Sequence, residues 1–132
     1  MLDKPVTLRK ITDPRGSLVV LEEGRDLPFA VRRCYFIYDV ADKPRGLHAH
    51  KALDQIFICL QGACDIVLDD GKQKTTLRMD SPTTAVHVGP MIWHEMHNFS
   101  GKCIFLSLAS DVYDESDYIR DYDEFKKRVA GK

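Results

Sequence analysis

The residues of this chain best suited to chemistry near neutral pH are its five histidines, His48, His50, His87, His94 and His97. An imidazole gains and loses a proton in that range, which suits it to general acid–base work and to metal binding alike. Two of them form His48-Ala49-His50. On a strand, side chains two apart share a face, so both rings are expected to project together. His94 and His97 lie beside Trp93. His87 alternates with Val86 and Val88 and reads as a surface or interface residue. A lone histidine on an apolar strand is ordinarily a satisfied core residue. A pair on one face, preceded by Arg45 and followed by Gln55, calls for more than packing.

Short β-type runs separated by turn residues must hold these side chains in place. Leu18 to Leu21 follows the turn Asp13-Pro14-Arg15-Gly16. Arg33 to Val40, Leu53 to Leu60, Ala63 to Leu68, Lys74 to Arg78, Thr83 to Val88, Glu95 to Phe99 and Cys103 to Ala109 complete the series. Gln61-Gly62 reads as a hairpin connection. Asp69-Asp70-Gly71-Lys72 is the strongest hairpin signal, because Asp-Gly tolerates the positive φ of a tight turn. Strands at this spacing predict an all-β sandwich or barrel. The tail differs: between Ser116 and Val129, Tyr118, Tyr122, Phe125 and Val129 recur at helical spacing, with acids early and bases late. One short C-terminal helix is expected.

Composition narrows the classes. The 132 residues fit one domain, 1–132. Nineteen basic against twenty acidic residues give a net charge of −1, which argues against a broad nucleic-acid footprint. No apolar run approaches the ~20 residues of a membrane span, and the N-terminus lacks a signal-type stretch. Cys34, Cys59, Cys64 and Cys103 form no C-x-x-C pair. They read as reduced, mostly buried thiols of a cytoplasmic protein.

The run from His48 through Gln55 to Gly62 resembles the first cupin motif, although Gly46 stands too close to His48 to be its leading glycine. Pro90 to Asn98 resembles the second, with His94 and Asn98 keeping the H-x₃-N spacing. The implied fold is an all-β cupin barrel, a jelly roll or double-stranded β-helix, with the short C-terminal α-helix added. A metal site is the first reading of cupin histidines. Here the carboxylate place of the motif holds Gln55, a neutral and weak ligand. Asp54 beside it points to the opposite strand face. No metal and no cofactor are expected, which leaves the imidazoles free to carry protons.

Longer strings are more specific. Arg15-Gly16-Ser17-Leu18, Pro44 to Lys51, Val88 to Met96, Leu108 to Asp111 and the tail from Tyr113 to Phe125 resemble the sugar 3,4-ketoisomerases over nearly the whole chain. That resemblance implies a metal-free cupin acting on dTDP-4-dehydro-6-deoxyglucose, on the way to unusual dTDP-linked deoxy- and amino-sugars. It also implies a homodimer with exchanged N-terminal strands. By it, His48 and His50 take the places of active-site histidines, and Tyr35 and Arg45 those of active-site polar residues. Proton removal next to a ketone gives an enediol, and reprotonation at the neighbouring carbon completes an isomerisation. His50 is the expected shuttle. Arg45, His48 and Tyr35 are expected to serve the enediolate oxygens or the hydroxyl proton. Gln55, His94 and His97 are expected to line the substrate site. Guanidinium suits the substrate's pyrophosphate, and Arg15, Arg32, Arg33 and Arg78 are the candidates. Trp93 is expected to flank the thymine or the sugar. The alternatives are a dTDP-sugar 3,5-epimerase, for which a His–Asp base pair and a longer chain are expected, a non-catalytic sugar-nucleotide-binding cupin, and a metal-dependent oxygenase.

Overall fold

The computed structural model describes residues 2–131. Met1 and Lys132, the end residues of the expected domain, lie outside them. Twelve strands are present: β1 Val6–Thr7, β2 Arg9–Asp13, β3 Gly16–Val20, β4 Arg33–Ile37, β5 Arg45–His50, β6 Gln55–Gln61, β7 Cys64–Asp69, β8 Lys74–Met79, β9 Thr84–Val88, β10 Trp93–His97, β11 Ile104–Ala109 and β12 Tyr118–Ile119. A single helical turn, Glu115–Asp117, precedes β12, and helix α1, Tyr122–Ala130, follows it. One sheet runs β1-β9-β6-β11-β4 and the other β12-β5-β10-β7-β8, while β2 and β3 form a separate hairpin. The two antiparallel sheets enclose the core as a cupin barrel.

Strand alternation sorts the side chains. Phe57, Phe105, Ile37, Met96, Cys59, Cys64 and Cys103 fill the space between the sheets. Ile56, Ile58 and Ala85 turn outward from the first sheet and are covered by Leu8, Leu27 and Phe29. Ala49 and Trp93 turn outward from the second sheet, where Ile119 and Phe125 cover them. Among the described residues, no helix is long and apolar enough to cross a membrane.

Two sequence expectations need correction, and that of mostly buried thiols holds for three of the four cysteines. Gln61-Gly62 is not a hairpin turn, because β6 and β7 belong to different sheets. The chain turns a corner there, with Gly62 at φ +73 packed so tightly that a Cβ would meet the Cys103 Cα at 2.9 Å. The C-terminal helix starts at Tyr122 and not at Ser116. Asp121 caps it by accepting the Glu124 N–H, while Tyr118 and Ile119 pair with His50 and Ala49 as strand. Among the cysteines, Cys34 is exposed on the outer face of β4, because it alternates with the inward Tyr35. The hairpin at Asp69–Lys74 forms as expected, with Gly71 at φ +94.

Candidate active site

The inward histidines sit at one end of the barrel. His48 and His50, on one face of β5, have ring centroids 4.9 Å apart. His94 on β10 pairs directly with His48, and their rings lie 4.5 Å apart. The Tyr118 ring covers two of them, 4.8 Å from His48 and 4.3 Å from His50. Arg120 rests on the Tyr118 ring at 4.3 Å and is itself held by Glu115 through two bonds of 2.9 Å.

The hydrogen bonds fix the tautomers. The Nδ1 atoms of His48, His50 and His94 face the Gly46 carbonyl at 2.9 Å, the Asp117 carboxylate at 3.1 Å and the Ile92 carbonyl at 3.4 Å. These partners only accept, so each Nδ1 carries the proton and each Nε2 keeps a lone pair. Burial first, and the neighbouring His48 second, push the His50 pKa down to about 4, with Asp117 pulling it back up. Burial likewise lowers His48 and drives His94 well below the usual imidazole value. All three are therefore neutral bases at pH 7.

On the facing sheet, Gln55 is fully buried. Its Nε2 donates to the Tyr35 hydroxyl at 3.1 Å and to the Ser107 hydroxyl at 3.2 Å. Phe57, inward like Gln55, touches His94 at 5.4 Å between ring centroids and ties the two halves of the site together. Arg33, inward like Tyr35, has its guanidinium 5.9 Å from the Tyr35 ring and 5.8 Å from the Tyr113 ring. It lines a crevice of about 170 Å³ together with His50, Ser110 and Asp117. Among the described residues, the buried side-chain polar atoms without a partner are Arg33 Nε, His50 Nε2, Gln55 Oε1 and His94 Nε2. Each such atom costs about 1–3 kcal/mol in a folded protein, and all four belong to this site.

A bulge brings Arg45 to the same side. The β5–β10 register jumps from His48 to Gly46, leaving Leu47 unpaired, and Gly46 and Leu47 both have positive φ. Glycine is required at 46, where a Cβ would sit 3.0 Å from the His94 carbonyl. Past the bulge Arg45 pairs with the inward Met96, so it shares a face with His48 despite their odd spacing.

Other expected residues are not brought together. Trp93 and His97 stand on the opposite face of β10 from His94. Both bind Glu95, at 2.8 Å and 2.7 Å, and Trp93 is packed against Tyr122 and Phe125. Arg15 sits at the exposed tip of the β2–β3 hairpin, paired with Asp13 at 2.6 Å. Arg32 pairs with Asp111 at 3.5 Å. Arg78 binds Asp65 at 3.2 Å and the Asn98 carbonyl at 2.9 Å. His87 lies between Asp3 and Asp54, at 2.6 Å and 2.8 Å. It lines a larger cleft of about 670 Å³ on the outer face of the first sheet. That cleft is the roomier, but its lining lacks the histidine cluster. Two site residues lacked any local signal: Asp117 and Tyr118 reach the histidines only through the long-range pairing of β12 with β5.

His48, His50 and His94 each offer a ring nitrogen within 4.8 Å of the other two, so the trio could hold a metal ion. Gln55, the polar group facing them, would add no charge to balance a divalent cation.

The comparisons with known proteins agree with this geometry. The FdtA family model, described as WxcM-like, C-terminal, matches residues 3–130. A TDP-4-oxo-6-deoxy-alpha-D-glucose-3,4-oxoisomerase of Aneurinibacillus thermoaerophilus is 50% identical over 98% of this chain and 94% of its own length. The structure of a 3,4-ketoisomerase from Helicobacter canadensis superposes with a TM-score of 0.93 at 44% identity, covering 96% of each chain. A histidine-to-asparagine mutant of the 3,4-ketoisomerase QdtA from Thermoanaerobacterium thermosaccharolyticum, in complex with TDP-4-keto-6-deoxyglucose, superposes with a TM-score of 0.94 at 35% identity, covering 98% of this chain and 94% of that one. With its histidine-lined cupin barrel and a family match over residues 3–130, this chain belongs to the FdtA family.

Proposed function

We propose that this protein is a sugar-nucleotide 3,4-ketoisomerase, converting dTDP-4-dehydro-6-deoxyglucose into a dTDP-3-dehydro-6-deoxyhexose. The observation that carries this reading is the set of four unpartnered buried polar atoms at the barrel end. Two are lone-pair nitrogens, one is an amide oxygen and one is a guanidinium N–H. A sugar carrying a ketone and hydroxyls satisfies such a set.

His50 Nε2 takes the proton from carbon 3. The C–H electrons become the carbon 3–carbon 4 double bond, and the carbonyl π electrons move to oxygen 4. The proton then returns from His50 to carbon 4, while the hydroxyl proton on oxygen 3 passes to oxygen 4. The result is a 3-ketone and a 4-hydroxyl, isomeric with the substrate. General acid–base transfer supplies ~10²–10⁴-fold, and the rest must come from groups aimed at the enediolate. The Tyr35 hydroxyl accepts from Gln55, so its own proton is free for an enediolate oxygen. Arg33, cradled by two tyrosine rings beside His50, supplies positive charge. Among the candidate arginines it is the one lining the His50 crevice. His48, His94 and Arg45 complete the polar wall. The imidazoles work without a metal, a reading supported by the neutral Gln55 and by the tie of His50 to Asp117.

A His–Asp pair is the mark expected of the 3,5-epimerase alternative, and His50–Asp117 is such a pair. The pair therefore does not separate the two reactions, whereas the family match favours isomerisation. The protein acts as a homodimer. Phe36 on edge strand β4, Tyr38 just beyond its end, and Ile11 and Leu18 on the β2–β3 hairpin are each more than half exposed. A second copy that receives this hairpin would cover them. Four free thiols suit a reducing cytoplasm.

Incubation with dTDP-4-dehydro-6-deoxyglucose in deuterated water, read by NMR, tests the reaction. Deuterium at carbon 4 of a 3-keto product is expected. Exchange at carbons 3 and 5 would establish the epimerase, and no exchange a binding protein. His50→Asn should abolish turnover and leave nucleotide binding intact. Stoichiometric iron or manganese with chelator-sensitive turnover would overturn the metal-free reading.

A further inference from the structure

We propose that Asp117 is a positioning residue for the reaction, holding His50 in the one tautomer and orientation in which Nε2 can take a proton. This rests on the reading of His50 as the shuttle.

The geometry is specific. Asp117 Oδ2 accepts from His50 Nδ1 at 3.1 Å and from the Leu53 N–H at 3.3 Å, and Oδ1 accepts from the Ala52 N–H at 2.9 Å. The Asp117 backbone carbonyl accepts from the Lys51 N–H at 2.9 Å. The carboxylate is thus clamped by the turn that follows β5, the strand that carries His50. It faces a nearly buried imidazole whose other nitrogen has no partner. Two backbone donors would anchor the turn by themselves. The third contact, to the ring, matters to chemistry: a pure acceptor at Nδ1 keeps the proton there and leaves the lone pair on Nε2. When Nε2 takes up the substrate proton, the ring becomes a cation, and the carboxylate stands against it where both side chains are largely shielded from solvent. The other titratable or charged groups facing the ring are His48, His94, Arg33 and Tyr118, with Asp111 and Asp114 at the crevice rim. Arg33 and a protonated His48 oppose a charge on His50, and within the cluster Asp117 is the group in direct contact that favours it.

Asp117→Asn tests this, because the side chain keeps its shape. The amide oxygen can still serve Ala52, and the amide NH₂ then takes the Oδ2 place, against Nδ1 and the longer-bonded Leu53 N–H. Nδ1 must become the acceptor, the ring proton moves to Nε2, and the base is lost. The expected result is a fall in kcat of about 10²–10⁴-fold, with KM changed less than about threefold and TDP affinity and melting temperature near wild type. The acidic limb of the pH–rate profile should move to lower pH. Nitrogen-15 NMR of labelled protein should show the proton of the neutral His50 ring move from Nδ1 to Nε2. Asp117→Glu should recover part of kcat. Wild-type kcat in Asp117→Asn, or an unmoved tautomer, would overturn the proposal, as would a loss confined to melting temperature. Wild-type protein is assayed alongside: if it does not isomerise the substrate, the functional reading fails, while the tautomer measurement still judges Asp117.

Discussion

If His50 is the base, its burial must show in the pH dependence of turnover. Free imidazole titrates near 6.5, whereas burial and His48 bring His50 to about 4. The sign follows directly: protonation destroys the base, so activity is lost as pH falls through the folded-state pKa. At pH 5 a base titrating at 6.5 would be about 3% neutral, and one titrating at about 4 would be about 90% neutral. The predicted difference in kcat/KM at pH 5 is therefore about 30-fold. The assay is initial-rate deuterium uptake at carbon 4 between pH 4 and 8. Each point is started by a brief pH jump, because the same depressed histidines make the fold less stable in acid. The unfolded chain takes up protons below about 6.5 that the buried rings refuse, so stability is full above that pH and declines toward about 4. A kcat/KM profile with its acidic limb at 6–6.5, in protein shown to remain folded, would refute a desolvated His50 as the base. His48→Gln removes the second cause of the depression and should move the limb upward.

Three further outcomes follow from the same geometry. Arg33→Met keeps the stem between Tyr35 and Tyr113 but removes the charge. Steady-state kinetics should show kcat/KM down by at least about tenfold, while calorimetry finds stability within about 1 kcal/mol of wild type. Gln55→Leu deletes the unpartnered Oε1 but also the donors to Tyr35 and Ser107. Chemical denaturation should show a net change of no more than about 1 kcal/mol, with turnover strongly reduced. Phe125→Ala empties the space between α1 and Trp93, and should cost about 3–5 kcal/mol in the same measurement. Because α1 anchors the segment that carries Asp117, the residual folded enzyme should also lose kcat.

Where the sequence was legible, a local rule sufficed. The period of two in His48-Ala49-His50 places both rings inside, and Asp70-Gly71 makes its hairpin. The same alternation, applied to Trp93 through His97, would have sent Trp93 and His97 outward once His94 was placed inward. Asp121 followed by Glu124 carried the capping signal that starts α1, which helical periodicity alone overran. Elsewhere no local rule was available. A two-residue link such as Gln61-Gly62 looks alike whether it reverses a strand or carries it to the other sheet, and only the packing against Cys103 decides. The bulge at Gly46-Leu47 reverses parity, so counting from His48 gives the wrong face for Arg45.

The largest gap was Asp117, 67 residues from its partner His50. Its place depends on β12 pairing with β5, and that in turn depends on α1 seating Phe125 beneath Trp93. The barrel therefore supplies the base, but the tail sets which of its nitrogens is basic. Asp117→Asn alters that choice directly, and Phe125→Ala alters it by loosening the segment that makes it. Their effects on kcat should then be less than additive when combined. Strict additivity would mean that the tail contributes stability alone.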